Sequence, residues 1–181
     1  LTLGNWVGGD RDGNPFVTPN VTIATARRAS YAILGRYADA LGLLIERLSI
    51  SSTLAQPSPD LLASIEHDAE LLPDVYQANR RRNAKEPVRL KLTLMRARVD
   101  ATRRLTASRD AGNQISEPAA YASAAALEQD LLLVRESLTA AMALANPYDP
   151  EVTLERNFLA LTPLRGIITD QHLWERDRIG R

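Results

Sequence analysis

No cysteine occurs among the 181 residues, which excludes disulfides, thiolate metal sites and a cysteine nucleophile. A chain free of thiols suits a reducing compartment, and a cytoplasmic location is the expectation. Histidine is nearly as scarce, with His67 and His172 the two examples. His67 lies in Ile65-Glu66-His67-Asp68, a stretch that reads as a short polar helix with the imidazole in solvent. Adjacent side chains on a helix point apart, so this run is not a metal pair. Aromatic residues make up only 5% against 45% hydrophobic, so the core must be built from Leu, Ala, Val and Ile. That composition favours helices over sheets. Charge of one sign is not in excess either. Lys plus Arg and Asp plus Glu both number 22, and a neutral chain has no field to draw in nucleic acid or an anionic membrane. A continuous apolar run of about 18 residues, the length a membrane span needs, is missing, as is a basic-then-apolar signal pattern. Neither nucleic acid nor membrane is an expected partner.

What the chain does have is Gly4-Asn5-Trp6-Val7-Gly8-Gly9-Asp10-Arg11-Asp12-Gly13-Asn14-Pro15-Phe16-Val17-Thr18. Glycine and proline punctuate this segment too often for a helix or a long strand, so it predicts a loop that brings backbone close to something. Asp10-x-Asp12-Gly13 fails as an EF-hand: the pattern needs Gly at the sixth position and Glu at the twelfth, which here are Pro15 and Val21. The glycines end in no G-K-[ST] and form no G-x-G-x-x-G, which argues against a nucleotide site. On residue types alone two readings stand. Arg11 can fork between carboxylates in an ion-pair network, or the loop simply folds on itself, with Asp12 and Asn14 capping turns and the next helix.

The rest of the chain reads as helices. Thr18-Pro19 is a helix start, a hydroxyl cap followed by proline where no N–H is needed. Apolar residues then recur at helical spacing from Val21 to Ile50. Ser51 to Ser58 breaks this helix, and Ser58-Pro59-Asp60 starts a shorter one to about Glu70. Pro73-Asp74 begins another short element that reaches Arg80-Arg81-Arg82. Glu86-Pro87 opens a helix to about Ser108, with Val88, Leu90, Leu92, Leu94, Met95, Val99 and Leu105 apolar. A loop around Asp110-Ala111-Gly112-Asn113 precedes a last long helix over Tyr121 to Ala145, closed by Asn146-Pro147. Three regions result: 1–17, a short strand plus the glycine-rich loop; 18–145, helical; and 146–181, a tail broken by Pro163 and Gly166.

The run from Gly4 to Thr18 resembles the G-x-W-x-G-G-D-R-D-G-N-P-x-V-T segment of phosphoenolpyruvate carboxylases. A weaker likeness continues through Leu48-Ser49-Ile50-Ser51 and Glu86-Pro87-Val88-Arg89 to about residue 140. Beyond that, Asn157-Phe158-Leu159-Ala160-Leu161-Thr162-Pro163-Leu164-Arg165 does not reproduce the family's G-F-x-L-x-x-L-D-(I/L)-R-Q segment. The resemblance implies a mostly α fold: the amino-half helical portion of a carboxylase-type α/β barrel, with long antiparallel helices and at most short strands at the ends. A whole enzyme of the family is several times longer, so it also implies an internal piece.

The resemblance further implies a function for the parent, which carboxylates phosphoenolpyruvate with bicarbonate to give oxaloacetate and phosphate. It uses Mg²⁺ or Mn²⁺ on ligands outside this chain, and it assembles as a homotetramer. Trp6 is implied as a wall of the apolar pocket for the methylene end of phosphoenolpyruvate, a task suited to a rigid indole. Gly8, Gly9, Asp10, Arg11, Asp12, Gly13 and Asn14 are implied as active-site loop residues without a direct catalytic role. The catalytic histidine of the family's T-A-H-P-T motif is not matched by His67 or His172, so this piece alone is expected to be inactive. A second class stays open: a non-catalytic all-α interaction module or a degraded carboxylase relative. The basic runs Arg80-Arg81-Arg82 and Arg103-Arg104 read as solvated helix faces paired with nearby Glu and Asp, with anionic-effector binding as the alternative.

Overall fold

The computed structural model describes residues 14–113 and 115–144, the last four of these as backbone only. Within them the chain forms five helices and no strand: α1 (Pro19–Arg47), α2 (Pro59–Leu71), α3 (Pro73–Arg80), α4 (Pro87–Asp110) and α5 (Ala124–Leu144). The expected strand in 1–7 and the tail 146–181 lie outside the described residues.

Proline sets the start of four helices. Pro19, Pro59, Pro73 and Pro87 each stand in the first turn, where a missing N–H costs nothing. Thr18 and Ser58 add side-chain caps, accepting from the Val21 and Leu61 amides at 3.4 and 3.2 Å. Glu86 is different. Its carboxylate does not cap α4 but holds Arg89 Nη1 at 2.6 Å and accepts from Ser49 Oγ at 2.7 Å, tying the start of α4 to the chain leaving α1. The last helix begins three residues later than the sequence pattern predicts. Ser123 Oγ accepts from the Ala126 amide at 3.2 Å, and the Tyr121 amide is drawn off to Thr102 Oγ1 at 2.8 Å, so Tyr121 belongs to the preceding turn.

The core is organised around α4, which packs against each of the other four helices. Val88, Leu90, Leu92, Leu94, Met95 and Val99 are all buried, as the apolar pattern predicts. Leu90, Leu92 and Leu94 point in different directions around a 3.6-residue turn, so a helix that buries all three is surrounded. Antiparallel α1 supplies Leu34, Tyr37, Ala38, Leu41 and Leu44; α2 supplies Leu61 and Ile65; α5 supplies Leu127, Leu131, Val134 and Leu138. The amino half of α1 departs from expectation. The first buried residue of this helix is Leu34, while Val21, Ile23 and Tyr31, apolar at helical spacing, remain 36–41% exposed.

Candidate functional site

The glycine-rich loop enters the described residues only at its end. Trp6, Gly8, Gly9, Asp10, Arg11, Asp12 and Gly13 lie outside them, and Asn14 lies within. Asn14 performs turn chemistry: its Oδ1 accepts from the Phe16 amide at 3.0 Å and its carbonyl from the Val17 amide at 3.3 Å. The chain then passes through extended Thr18 (φ −83°, ψ 162°) into α1. Two hydroxyl or amide side chains thus convert the loop into a helix within four residues. Phe16, beside this turn, is 84% exposed.

A second polar constellation was not anticipated from the sequence. Lys91 of α4 and Asp68 of α2 are both fully buried, and Lys91 Nζ reaches Asp68 Oδ2 at 2.6 Å, Asp130 Oδ1 of α5 at 2.8 Å and Ser64 Oγ at 2.7 Å. These three partners use the three protons of the ammonium. One turn-pair along α4, Arg98 Nη1 holds the other oxygens of the same carboxylates, Asp68 Oδ1 at 2.9 Å and Asp130 Oδ2 at 3.2 Å. Arg98 Nε donates to the Ala119 carbonyl at 3.3 Å, and its guanidinium stacks 4.0 Å from the Tyr121 ring centre. Tyr121 in turn donates its hydroxyl to Asp130 Oδ2 at 2.7 Å. Burial, and then the neighbouring Asp130 carboxylate, push the Tyr121 phenol far above its ordinary range. Two cations and two anions cancel, and every group is hydrogen-bonded, so the cluster is a neutral clamp joining three helices. Part of a signal was in the sequence, since Lys91 and Arg98 lie seven residues apart on the apolar face that also carries Leu94, Met95 and Val99, but their partners come from other helices.

The basic runs divide. Arg104 fits the paired-face reading, with Nε and Nη2 on the two oxygens of Glu117 at 2.7 and 3.0 Å. That bond holds the Glu117 carboxyl below its ordinary range and raises Arg104. Arg103 instead stacks on Tyr31 at 4.2 Å, and its buried Nε has no hydrogen-bond partner. Arg80, Arg81 and Arg82 are exposed, as a solvated face would be, but make no ion pair among the described residues, which corrects the expected pairing with nearby acids. Arg82 lines a cavity of about 300 Å³ with Arg89 and Asn83, but Glu46 shares that lining, so it is not an all-cation anion site. His67 is exposed, as expected. Among the described residues no group of three or more His, Cys, Asp or Glu is placed to hold a metal ion, and no helix is long and apolar enough to cross a membrane.

Residues 1–149 match the family model described as phosphoenolpyruvate carboxylase. The chain belongs to the phosphoenolpyruvate carboxylase family. Among curated proteins it is 41% identical over 140 residues to a phosphoenolpyruvate carboxylase of Xanthomonas oryzae pv. oryzae, covering 77% of this chain and 14% of that relative. A phosphoenolpyruvate carboxylase of Synechocystis sp. is 39% identical over 143 residues, covering 76% and 14%. That of a Nostoc species is 46% identical over 102 residues, covering 56% and 10%. The chain therefore spans about one seventh of the length of such carboxylases, as a piece of one would. No solved structure matches it. The family match stops at residue 149, close to where the likeness fades to the eye and before the unmatched Asn157–Arg165 stretch.

Proposed function

We propose that this chain is a helical piece of a phosphoenolpyruvate carboxylase and that the parent converts phosphoenolpyruvate and bicarbonate to oxaloacetate and phosphate. The observation that carries the reading is the family match, which takes in the whole Gly4–Thr18 segment. In this account the helical body is a scaffold. It carries the carboxy-terminal end of the loop at Asn14–Thr18, and the loop presents the Trp6 indole as a rigid apolar wall for the methylene carbon of the substrate. An apolar wall excludes water from the enolate that forms when bicarbonate takes the phosphoryl group, and so favours capture of carbon dioxide over capture of a proton.

In this reading Mg²⁺ or Mn²⁺, and the groups that manage protons, belong to parts of the parent outside this chain, as the family resemblance implies. The phosphoenolpyruvate and bicarbonate sites, the homotetramer and the cytoplasmic setting belong to the same proposal for the parent. The isolated piece should then be inactive. The test is an oxaloacetate assay, coupled to malate dehydrogenase, on the full-length parent and on the 181-residue chain. Bicarbonate-dependent turnover by the parent alone is expected; a parent that folds and binds phosphoenolpyruvate yet forms no oxaloacetate would favour the degraded-relative reading.

A further inference from the structure

α5 meets α2 and α4 through two kinds of contact that carry different information. Its buried apolar side chains are Leu127, Leu131, Val134 and Leu138, spaced four, three and four residues apart. A stripe with that spacing repeats itself at every turn. A slide of one turn, about 5.4 Å, toward the carboxy-terminal end would bring Leu127, Leu131 and Val134 into the seats of Leu131, Val134 and Leu138. A slide the other way would bring Leu131, Val134 and Leu138 into the seats of Leu127, Leu131 and Val134. Either way three of the four seats keep an aliphatic side chain. Apolar burial therefore holds α5 down without choosing a register.

Asp130 is not interchangeable in this way. Its Oδ1 lies 2.8 Å from Lys91 Nζ, and its Oδ2 lies 3.2 Å from Arg98 Nη1 and accepts from the Tyr121 hydroxyl at 2.7 Å. Lys91 is fully buried and Arg98 nearly so, so water does not replace a lost carboxylate. A one-turn slide would carry Asp130 away from all three partners, strand the buried Tyr121 hydroxyl and leave two cations on Asp68 alone. Breaking a buried pair from one side is costly because a charge stays behind uncompensated. The register in place is marked on α2, where the Ser58 amide donates to Ser137 Oγ at 2.9 Å.

We propose that Asp130 is the register pin of α5: its bonds to Lys91, Arg98 and Tyr121 select one among several placements of this helix on α2 and α4 that its apolar stripe fits equally. A single buried polar residue fixes register in coiled coils by the same logic, through the cost of leaving it unpaired.

The test is disulfide trapping in the full-length carboxylase, with the joined residues read by mass spectrometry of the digest; this chain brings no cysteine of its own. Ser58→Cys with Ser137→Cys reports the register in place, since their contact puts the two residues within reach of a disulfide. Ser58→Cys with Leu133→Cys, or with Ala141→Cys, reports a slide of one turn to either side. With Asp130 present the Ser137 pair should close, and the two offset pairs should close at least about tenfold more slowly. The pin is removed by Asp130→Leu/Lys91→Met/Tyr121→Phe, which leaves Asp68 and Arg98 as one anion and one cation and keeps a ring under the guanidinium. Its melting temperature should stay near wild type. In this variant an offset pair should gain about tenfold while the Ser137 pair slows. A Ser137 pair that closes as in wild type, with both offset pairs silent, would overturn the proposal and make the cluster a stabilising contact only. Loss of all three disulfides would overturn it as well, because α5 would then have left α2. Should the triple variant fail to fold, Asp130→Leu/Ala126→Asp decides: it moves the carboxylate one turn and keeps all its partners. The Leu133 pair should then replace the Ser137 pair, and an unmoved register would overturn the proposal.

Discussion

Replacing Lys91 with methionine should be among the most damaging single changes available in this chain. The side chains are close in volume, so packing is nearly conserved and the electrostatic loss is isolated. Lys91 Nζ touches two carboxylates at 2.6 and 2.8 Å. Without it, fully buried Asp68 and mostly buried Asp130 share the single guanidinium of Arg98. Attraction between unit charges about 4 Å apart is about 4 kcal/mol at an effective dielectric of about 20, and two such pairs disappear. The ammonium's own desolvation cost disappears too, so the net loss should be about 3–5 kcal/mol, the range for breaking a buried pair from one side. Against a total stability of about 5–15 kcal/mol this is a large fraction.

Urea unfolding of the 181-residue chain, followed by circular dichroism, measures it. Asp68→Asn alone should also destabilise, since it leaves Lys91 and Arg98 facing one carboxylate. The double variant Lys91→Met/Asp68→Asn returns the cluster to one cation and one anion. It should be more stable than the sum of the single effects by about 2 kcal/mol. Single losses below about 1 kcal/mol, or strictly additive effects, would refute the reasoning.

Other outcomes follow from the same packing. Tyr37, buried in α1, has its phenol pushed up by burial to about 12. Its folded pKa exceeds the unfolded one, so the unfolded chain loses this proton first; the Tyr37 contribution to stability should fall as pH rises from about 10 and level off above about 12, and Tyr37→Phe should remove that part of the decline in an alkaline urea series. Leu92 is fully buried on the central helix, and Leu92→Ala should cost about 2–5 kcal/mol in the same unfolding assay. Thr18→Ala removes the cap from the loop-bearing end of α1; because that end buries no side chain, the loss should be about 1 kcal/mol or less, read best as faster amide exchange at Val21.

The helices were legible because their punctuation is chemical. Thr18-Pro19, Ser58-Pro59, Pro73 and Pro87 each mark a start that any single residue could have signalled, and the structure uses them all. Two features were not legible. Helical spacing identifies a face but not whether a neighbour covers it, so Val21, Ile23 and Tyr31 read like Leu34 and Leu41 although the first three are exposed. Charged side chains on an apolar face read as solvated unless their partners are known, and Asp68, Lys91 and Asp130 come from three helices far apart in sequence. Tyr121 was assigned to the last helix for the same reason, since its amide is claimed by Thr102, a partner 19 residues away. The candidate site is read from the resemblance of one loop, and of the loop residues named for it the described residues contain Asn14.

The central claim, that the glycine-rich loop serves carboxylation, is tested most directly by Trp6→Ala in the full-length enzyme. Initial rates of oxaloacetate formation against phosphoenolpyruvate concentration, alongside a melting curve, suffice. The account predicts a higher KM for phosphoenolpyruvate or a lower kcat with the melting temperature unchanged. Kinetics indistinguishable from wild type would contradict it.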